Sequence, residues 1–307
     1  MSKWFLIAAN KLISFGVSLF LLTAILYAGY ALWDNQQIYA SADNQLSDIA
    51  SSTNMAEAAG DAGSEMQGKA SAASGSGTDE TSGHGMENQG SENNAGADTT
   101  VTTAGETEEE ETELSKLFKK LKAVNDDIGA WITMPGTAID YAVVRGNSNI
   151  DYISKDVYGN FSIAGSVFLD FRNGEDYSDT YNLLYGHNMS EHRMFSDVNL
   201  YKEENFFNEN QKGYIYFPTG AHWLQSISII LTNSSDSWAF NPSVWTDLEG
   251  EEMVERVQQN ALFVSETGME ALKKKIEAGE KPQLVALSTC SSEFTDARTI
   301  LLTLMDP

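Results

Sequence analysis

Residues 34–113 contain few bulky apolar side chains, and this stretch limits what the rest of the chain can become. It is mostly Ser, Gly, Ala, Asn, Thr, Asp and Glu, with 17 acids against one base, and it closes on the run Glu108-Glu109-Glu110-Glu111. A segment of this kind cannot bury enough apolar area to offset its ordering entropy, so it reads as a disordered acidic Ser/Gly-rich spacer. As a flexible coil it spans roughly 50 Å (about 5–6 Å × √80), and like charges extend it further. His84 lies inside it and is set aside as a catalytic candidate. A compact domain is therefore expected only from residues 114–307, whose 194 residues suffice for one substantial core.

Upstream of the spacer, Leu12 to Trp33 is 22 residues without a charge. About 20 apolar residues cross the hydrocarbon core as a helix. Lys3 and Lys11 lie before the run and Asp34 follows it. The positive-inside rule then assigns residues 1–11 to the cytoplasm and everything after Asp34 to the outside. A cleaved signal peptide is the rival reading, with Ala40-Ser41-Ala42 as its small-x-small site. The run is long for an h-region, which favours an uncleaved signal anchor over 12–33. The formal net charge of −25 divides as +2 over residues 1–33, −16 over 34–113 and −11 over 114–307. No segment carries the basic footprint that nucleic-acid binding needs. The single cysteine excludes an intrachain disulfide, and no His/Cys cluster has metal-ligand spacing, so no cofactor or metal is expected.

Within 114–307, Leu114, Leu117, Phe118, Leu121 and Val124 define one face of a helix. Strands are expected over 131–134 and 139–144 around the breaker Pro135-Gly136, over 166–171, and over 181–185 ending at Gly186-His187-Asn188. Residues 194–208 read as helical. Residues 214–217 and 223–231 flank Pro218-Thr219-Gly220 as a hairpin, and 248–263 and 269–278 read as two helices. Two further strands close the chain. About eight short strands with inserted helices, and connections too short for repeated crossovers, predict a mainly β fold: an antiparallel or mixed barrel.

The last two strands carry the chemistry. Leu284-Val285-Ala286-Leu287 is a strand-length apolar run that leads through Ser288 and Thr289 into Cys290. Polar residues 291–296 separate it from the apolar run 299–305, which Arg298 precedes. A thiol at the end of one strand and a guanidinium at the start of the next are expected on the same rim of a sheet. A lone cysteine otherwise packs as a small buried hydrophobe. A base for the thiol has three candidates, His187, His192 and His222. His187 closes an apolar strand between Gly186, which permits close approach, and Asn188, which could hydrogen-bond the ring.

Together Tyr185-Gly186-His187-Asn188-Met189, Leu287-Ser288-Thr289-Cys290 and Arg298 resemble the triad motifs of sortases, the cysteine transpeptidases of Gram-positive cell surfaces. Trp131-Ile132-x-x-Pro135-Gly136-Thr137-x-Ile139-Asp140-Tyr141-x-Val143-Val144 and Gly165-Ser166-Val167-Phe168-Leu169-Asp170 resemble the class B branch, as does the helical insertion before the cysteine strand. Ala286 stands where the family usually has Thr. The resemblance implies an eight-stranded sortase-type β-barrel preceded by a transmembrane helix and the spacer. It implies Cys290 as nucleophile, His187 as general acid and base, Arg298 as oxyanion or substrate donor, and Ser288 and Thr289 as substrate contacts. The implied partners are surface proteins bearing a C-terminal sorting signal, and an amine acceptor on a peptidoglycan precursor or a pilin lysine. A hydrolytic cysteine peptidase and a non-catalytic surface-tethered binding module are the alternative readings.

Overall fold

The computed structural model describes residues 15–27, 29 and 112–306. Residues 15–27 form a helix whose side chains are all exposed. Among the described residues no helix is long and apolar enough to cross a membrane. The expected span over 12–33 extends beyond those residues, and residues 1–11 and 34–111 lie outside them altogether.

The folded unit starts slightly earlier than the composition suggested. Helix α1 (Glu113–Val124) begins at a residue assigned above to the spacer, because Thr112 caps it: its Oγ1 accepts the Ser115 N–H at 3.1 Å. Leu114, Leu117, Phe118 and Leu121 are buried. They pack on Ile128, Trp131, Val144, Phe168 and Tyr216 of the barrel's outer surface. Each such side chain contributes about 1.5–3 kcal/mol by leaving water.

Nine strands follow: β1 (Ile128–Thr133), β2 (Asp140–Val144), β3 (Val167–Leu169), β4 (Tyr181–Tyr185), β5 (Lys212–Phe217), β6 (Gly220–Asn233), β7 (Ala261–Val264), β8 (Leu284–Cys290) and β9 (Ala297–Met305). Their order is β5-β1-β2-β3-β4-β8-β9-β6-β7, and β5 also pairs with β6. Eight strands thus close into a barrel, and the short β7 sits outside the ring on β6. The barrel is mixed, since β2 with β3 and β4 with β8 run parallel while the other pairs are antiparallel.

The unbroken apolar run of β8 has a simple cause. Val285 and Leu287 face the barrel interior, with Ile132, Val143, Leu184, Ile229 and Leu301. Leu284 and Ala286 face outward and are covered by Trp245, Met253, Val257, Met269 and Leu272 from the insertion between β6 and β8. A strand buried on both faces has no reason to alternate.

That insertion holds α3 (Ser237–Phe240), α4 (Ser243–Thr246), α5 (Gly250–Asn260) and α6 (Glu266–Glu277); the earlier α2 spans Glu204–Glu209. Two expectations are corrected here. The helix read over 248–263 stops at Asn260, and Ala261–Val264 pairs with β6 as β7. The segment read as one helix over 194–208 is a 3₁₀ helix, Ser196–Lys202, followed by α2. Short apolar runs satisfy helical and extended periodicities alike, and tertiary pairing decides between them.

Candidate active site

Three strands adjacent in the sheet bring the predicted residues to one end of the barrel. β8 and β9 are antiparallel, and Cys290 is the register partner of Arg298. On the other side β4 runs parallel to β8, with Tyr185 opposite Ser288. The pairing continues one residue further, as the Gly186 N–H donates to the Ser288 carbonyl at 3.1 Å. His187 therefore follows on the same rim as Cys290. The three side chains line one cleft of about 350 Å³, whose apolar walls are Ile153, Phe168, Tyr185 and Phe240.

Cys290 is exposed, which excludes the buried-hydrophobe reading of a lone cysteine. Its carbonyl accepts from Asn199 Nδ2 at 3.2 Å, and Asn199 Oδ1 accepts from Thr299 Oγ1 at 2.7 Å and from Ser291 Oγ at 3.1 Å. Lys202, one turn on, donates to Ser291 Oγ at 2.8 Å and pairs with Glu293. The hydrogen bonds from Lys202 and then Ser291 hold the Glu293 carboxyl down to about 2. Together these contacts fasten the β8–β9 loop to the 3₁₀ helix. Asn199 and Lys202 were missed as functional positions because their partners lie about ninety residues away in sequence.

Arg298 is half-buried and donates from Nη1 to the Ala297 carbonyl at 2.9 Å. Among the described residues it makes no ion pair: Glu293 is taken by Lys202. The remaining guanidinium donors are available to the cleft.

The histidines separate cleanly. His187 Nε2 donates to the Ile153 carbonyl at 2.8 Å, so that loop, not Asn188, orients the ring; Asn188 is exposed. Gly186 is needed for close approach, since a Cβ there would lie 2.5 Å from Phe195 Cγ. His192 stands outward with a left-handed backbone (φ 59°), and its Nδ1 meets Asp197 Oδ1 at 2.6 Å. His222 lies near the start of β6, paired with Asp306 at 2.5 Å, at the opposite end of the strand from Thr232, the partner of Arg298.

Ser288 and Thr289 are both buried beside the cleft. Thr289 Oγ1 donates to the Gly186 carbonyl at 2.9 Å, so its hydroxyl braces β8 against the turn that carries His187.

Beneath the cleft wall lies Asp170, fully buried. Burial pushes its carboxyl up, but hydrogen bonds from Arg172 and Asn149 outweigh this and hold it below the ordinary carboxylate value. Tyr185, which also bonds it, is pushed up by its own burial and by the Asp170 charge.

No family model matches the chain. Among curated proteins, sortase B of Staphylococcus aureus is 27% identical over 180 residues, covering 58% of this chain and 69% of that protein. Sortase B of Clostridium perfringens, a solved structure, is 27% identical with a TM-score of 0.53, over 61% of this chain and 98% of that one. A Streptococcus pyogenes class B sortase involved in pilus biogenesis is 34% identical with a TM-score of 0.54, over 61% of this chain and 97% of that one. That likeness runs through nearly the whole streptococcal enzyme and includes the barrel that carries the thiol, and the chain belongs to the class B sortases, a family of cysteine transpeptidases.

Proposed function

We propose that the enzyme is anchored in the cell membrane through residues 12–33, with its N-terminus cytoplasmic and its barrel outside, held off the surface by the spacer. There it cleaves a sorting signal in surface proteins and joins them to an amine. The observation that supports the chemistry is the register pair Cys290–Arg298 with His187 beside it in one cleft.

In the first half, Cys290 gives its thiol proton to His187, and the thiolate Sγ attacks the scissile carbonyl carbon. The C–N bond breaks, the leaving amine takes a proton from His187, and a thioester remains. In the second, an incoming amine gives a proton to His187 and attacks the thioester. A new amide forms, and the thiolate leaves and takes the proton back from His187. Arg298 donates to the substrate carbonyl oxygen as charge develops on it. Ser288 contacts the substrate backbone from the cleft floor. The pilus role of the streptococcal relative supports a pilin lysine as acceptor alongside a peptidoglycan precursor amine.

The test is to incubate the full chain in detergent micelles with a library of sorting-type peptides and both amine classes, and to identify products by mass. A ligated product that depends on Cys290 is expected. Hydrolysis that added amine neither accelerates nor diverts would overturn transpeptidation, and labelling of Cys290 by no thiol probe would favour the binding-module reading.

A further inference from the structure

Two of the contacts that position His187 lead back to one buried carboxylate. Asp170 follows β3, and both its oxygens are fully engaged. Oδ1 accepts the Arg172 backbone N–H at 3.0 Å and Nε at 2.7 Å. Oδ2 accepts Arg172 Nη2 at 2.5 Å, Asn149 Nδ2 at 2.8 Å and the Tyr185 hydroxyl at 3.0 Å. Tyr185 ends β4, two residues before His187. Asn149 starts the turn that, four residues later, presents the Ile153 carbonyl to His187 Nε2. Asn149 is itself held at its other end, its Oδ1 accepting the Phe171 N–H at 2.9 Å. Arg172 carries the same anchor across the cleft, donating from Nη2 to the Phe240 carbonyl at 2.6 Å.

From this convergence we infer that Asp170 is a positioning residue for the transfer reaction: through Tyr185 and through Asn149–Ile153 it fixes the His187 imidazole with the proton on Nε2 and Nδ1 turned to the reacting groups. It touches no reacting atom. A carbonyl can only accept, so the Ile153 contact selects the Nε2–H tautomer as long as the 149–153 turn stays in place. A carboxylate suits the hub because it offers acceptors only, and each of its five contacts is a donor. An amide in its place must turn an NH₂ toward Arg172 N and Nε on one side or toward Arg172 Nη2 and Asn149 Nδ2 on the other, so donor faces donor either way.

This inference rests on His187 as the acid and base, and the test keeps the two apart. The probes are [15N]histidine in the full chain in micelles, and the best-cleaved peptide from the library above. Wild type is expected to show a single Nε2–H tautomer for His187, assigned by its loss in His187→Ala. Asp170→Asn is expected to show averaged ring nitrogens and a kcat for acylation lower by about 10- to 100-fold per folded molecule, the scale of a small misplacement. A hub that only stabilises the fold leaves both readouts at wild type once the folded fraction is counted, and either one unchanged overturns the inference. If Asp170→Asn does not fold, Tyr185→Phe and Asn149→Ala cut the two arms singly and keep the Asp170–Arg172 pair. A wild-type ring signal in both, without peptide, overturns it equally. His187→Ala with normal acylation would instead remove the reading beneath it.

Discussion

Replacing Arg298 by Lys keeps the charge and removes the fork. In the structure one guanidinium nitrogen is already committed, Nη1 to the Ala297 carbonyl at 2.9 Å, while the rest of the group lines the cleft opposite Cys290. A planar five-donor group can hold its own strand and a substrate oxygen together, whereas an ammonium is a flexible point charge that must choose. Loss of one oxyanion-type donor costs about 2.7–4 kcal/mol, or roughly 10²–10³ in rate. Stability should scarcely respond, because Arg298 makes no ion pair among the described residues and Glu293 is taken by Lys202. Substitutions away from such features stay within about 0.5 kcal/mol, and a domain of this size shifts about 2–4 °C per kcal/mol, so a change of about 1–2 °C is expected. Single-turnover acylation and a melting curve on the same preparation read both quantities. Acylation within about threefold of wild type would refute the donor argument and leave Arg298 as a source of field alone.

Four further outcomes are expected. His187→Ala abolishes turnover with the fold intact, while His192→Ala and His222→Ala keep it; a dead His222→Ala would refute the assignment, and a peptide-cleavage assay decides. A fragment of residues 112–307 retains cleavage, because every group lining the cleft lies within it, and inactivity of a well-folded fragment would count against this. Gly186→Ala destabilises by about 1–3 kcal/mol, since its Cβ would meet the buried Phe195 ring at 2.5 Å; chemical denaturation checks it. The Glu293 carboxyl is depressed in the fold, so its share of stability is present above pH about 4.5 and fades as pH falls toward about 2. The stability gap between wild type and Lys202→Met should therefore shrink over that window, and a gap unchanged down to pH 2 would contradict it.

Cys290 and Arg298 were legible in sequence because hairpin strands are local: an apolar run ends, a polar loop follows, and the next run begins. Their exact opposition then follows from antiparallel register. The parallel contact of β4 with β8 was not legible, since it joins residues about a hundred positions apart and leaves no local mark. Without it the residues alone could not choose among three histidines; position and the family motif singled out His187. Asp170 was hidden for another reason. In Val167-Phe168-Leu169-Asp170-Phe171 an acid at a strand end looks like a solvent-facing residue, and only the convergence of Arg172, Asn149 and Tyr185 makes burial tolerable. β7 was lost because Ala261-Leu262-Phe263-Val264 continues the apolar pattern of the preceding helix.

The placement of the thiol and the guanidinium on paired strands also divides the enzyme by how freely its parts can change length. One residue inserted into β8 would slip its register against both neighbours and turn the Cys290 side chain to the other face of the sheet. The excursion 145–166 and the insertion 234–260 leave and rejoin the barrel outside the β8–β9 ladder, so their lengths are held only where they touch it: Asn149 on Asp170, the Ile153 carbonyl on His187, the Phe240 carbonyl on Arg172, and Trp245, Met253 and Val257 over β8. Between those points of contact the two walls can change length without moving the thiol, whereas a change of length within the strand pair moves it directly.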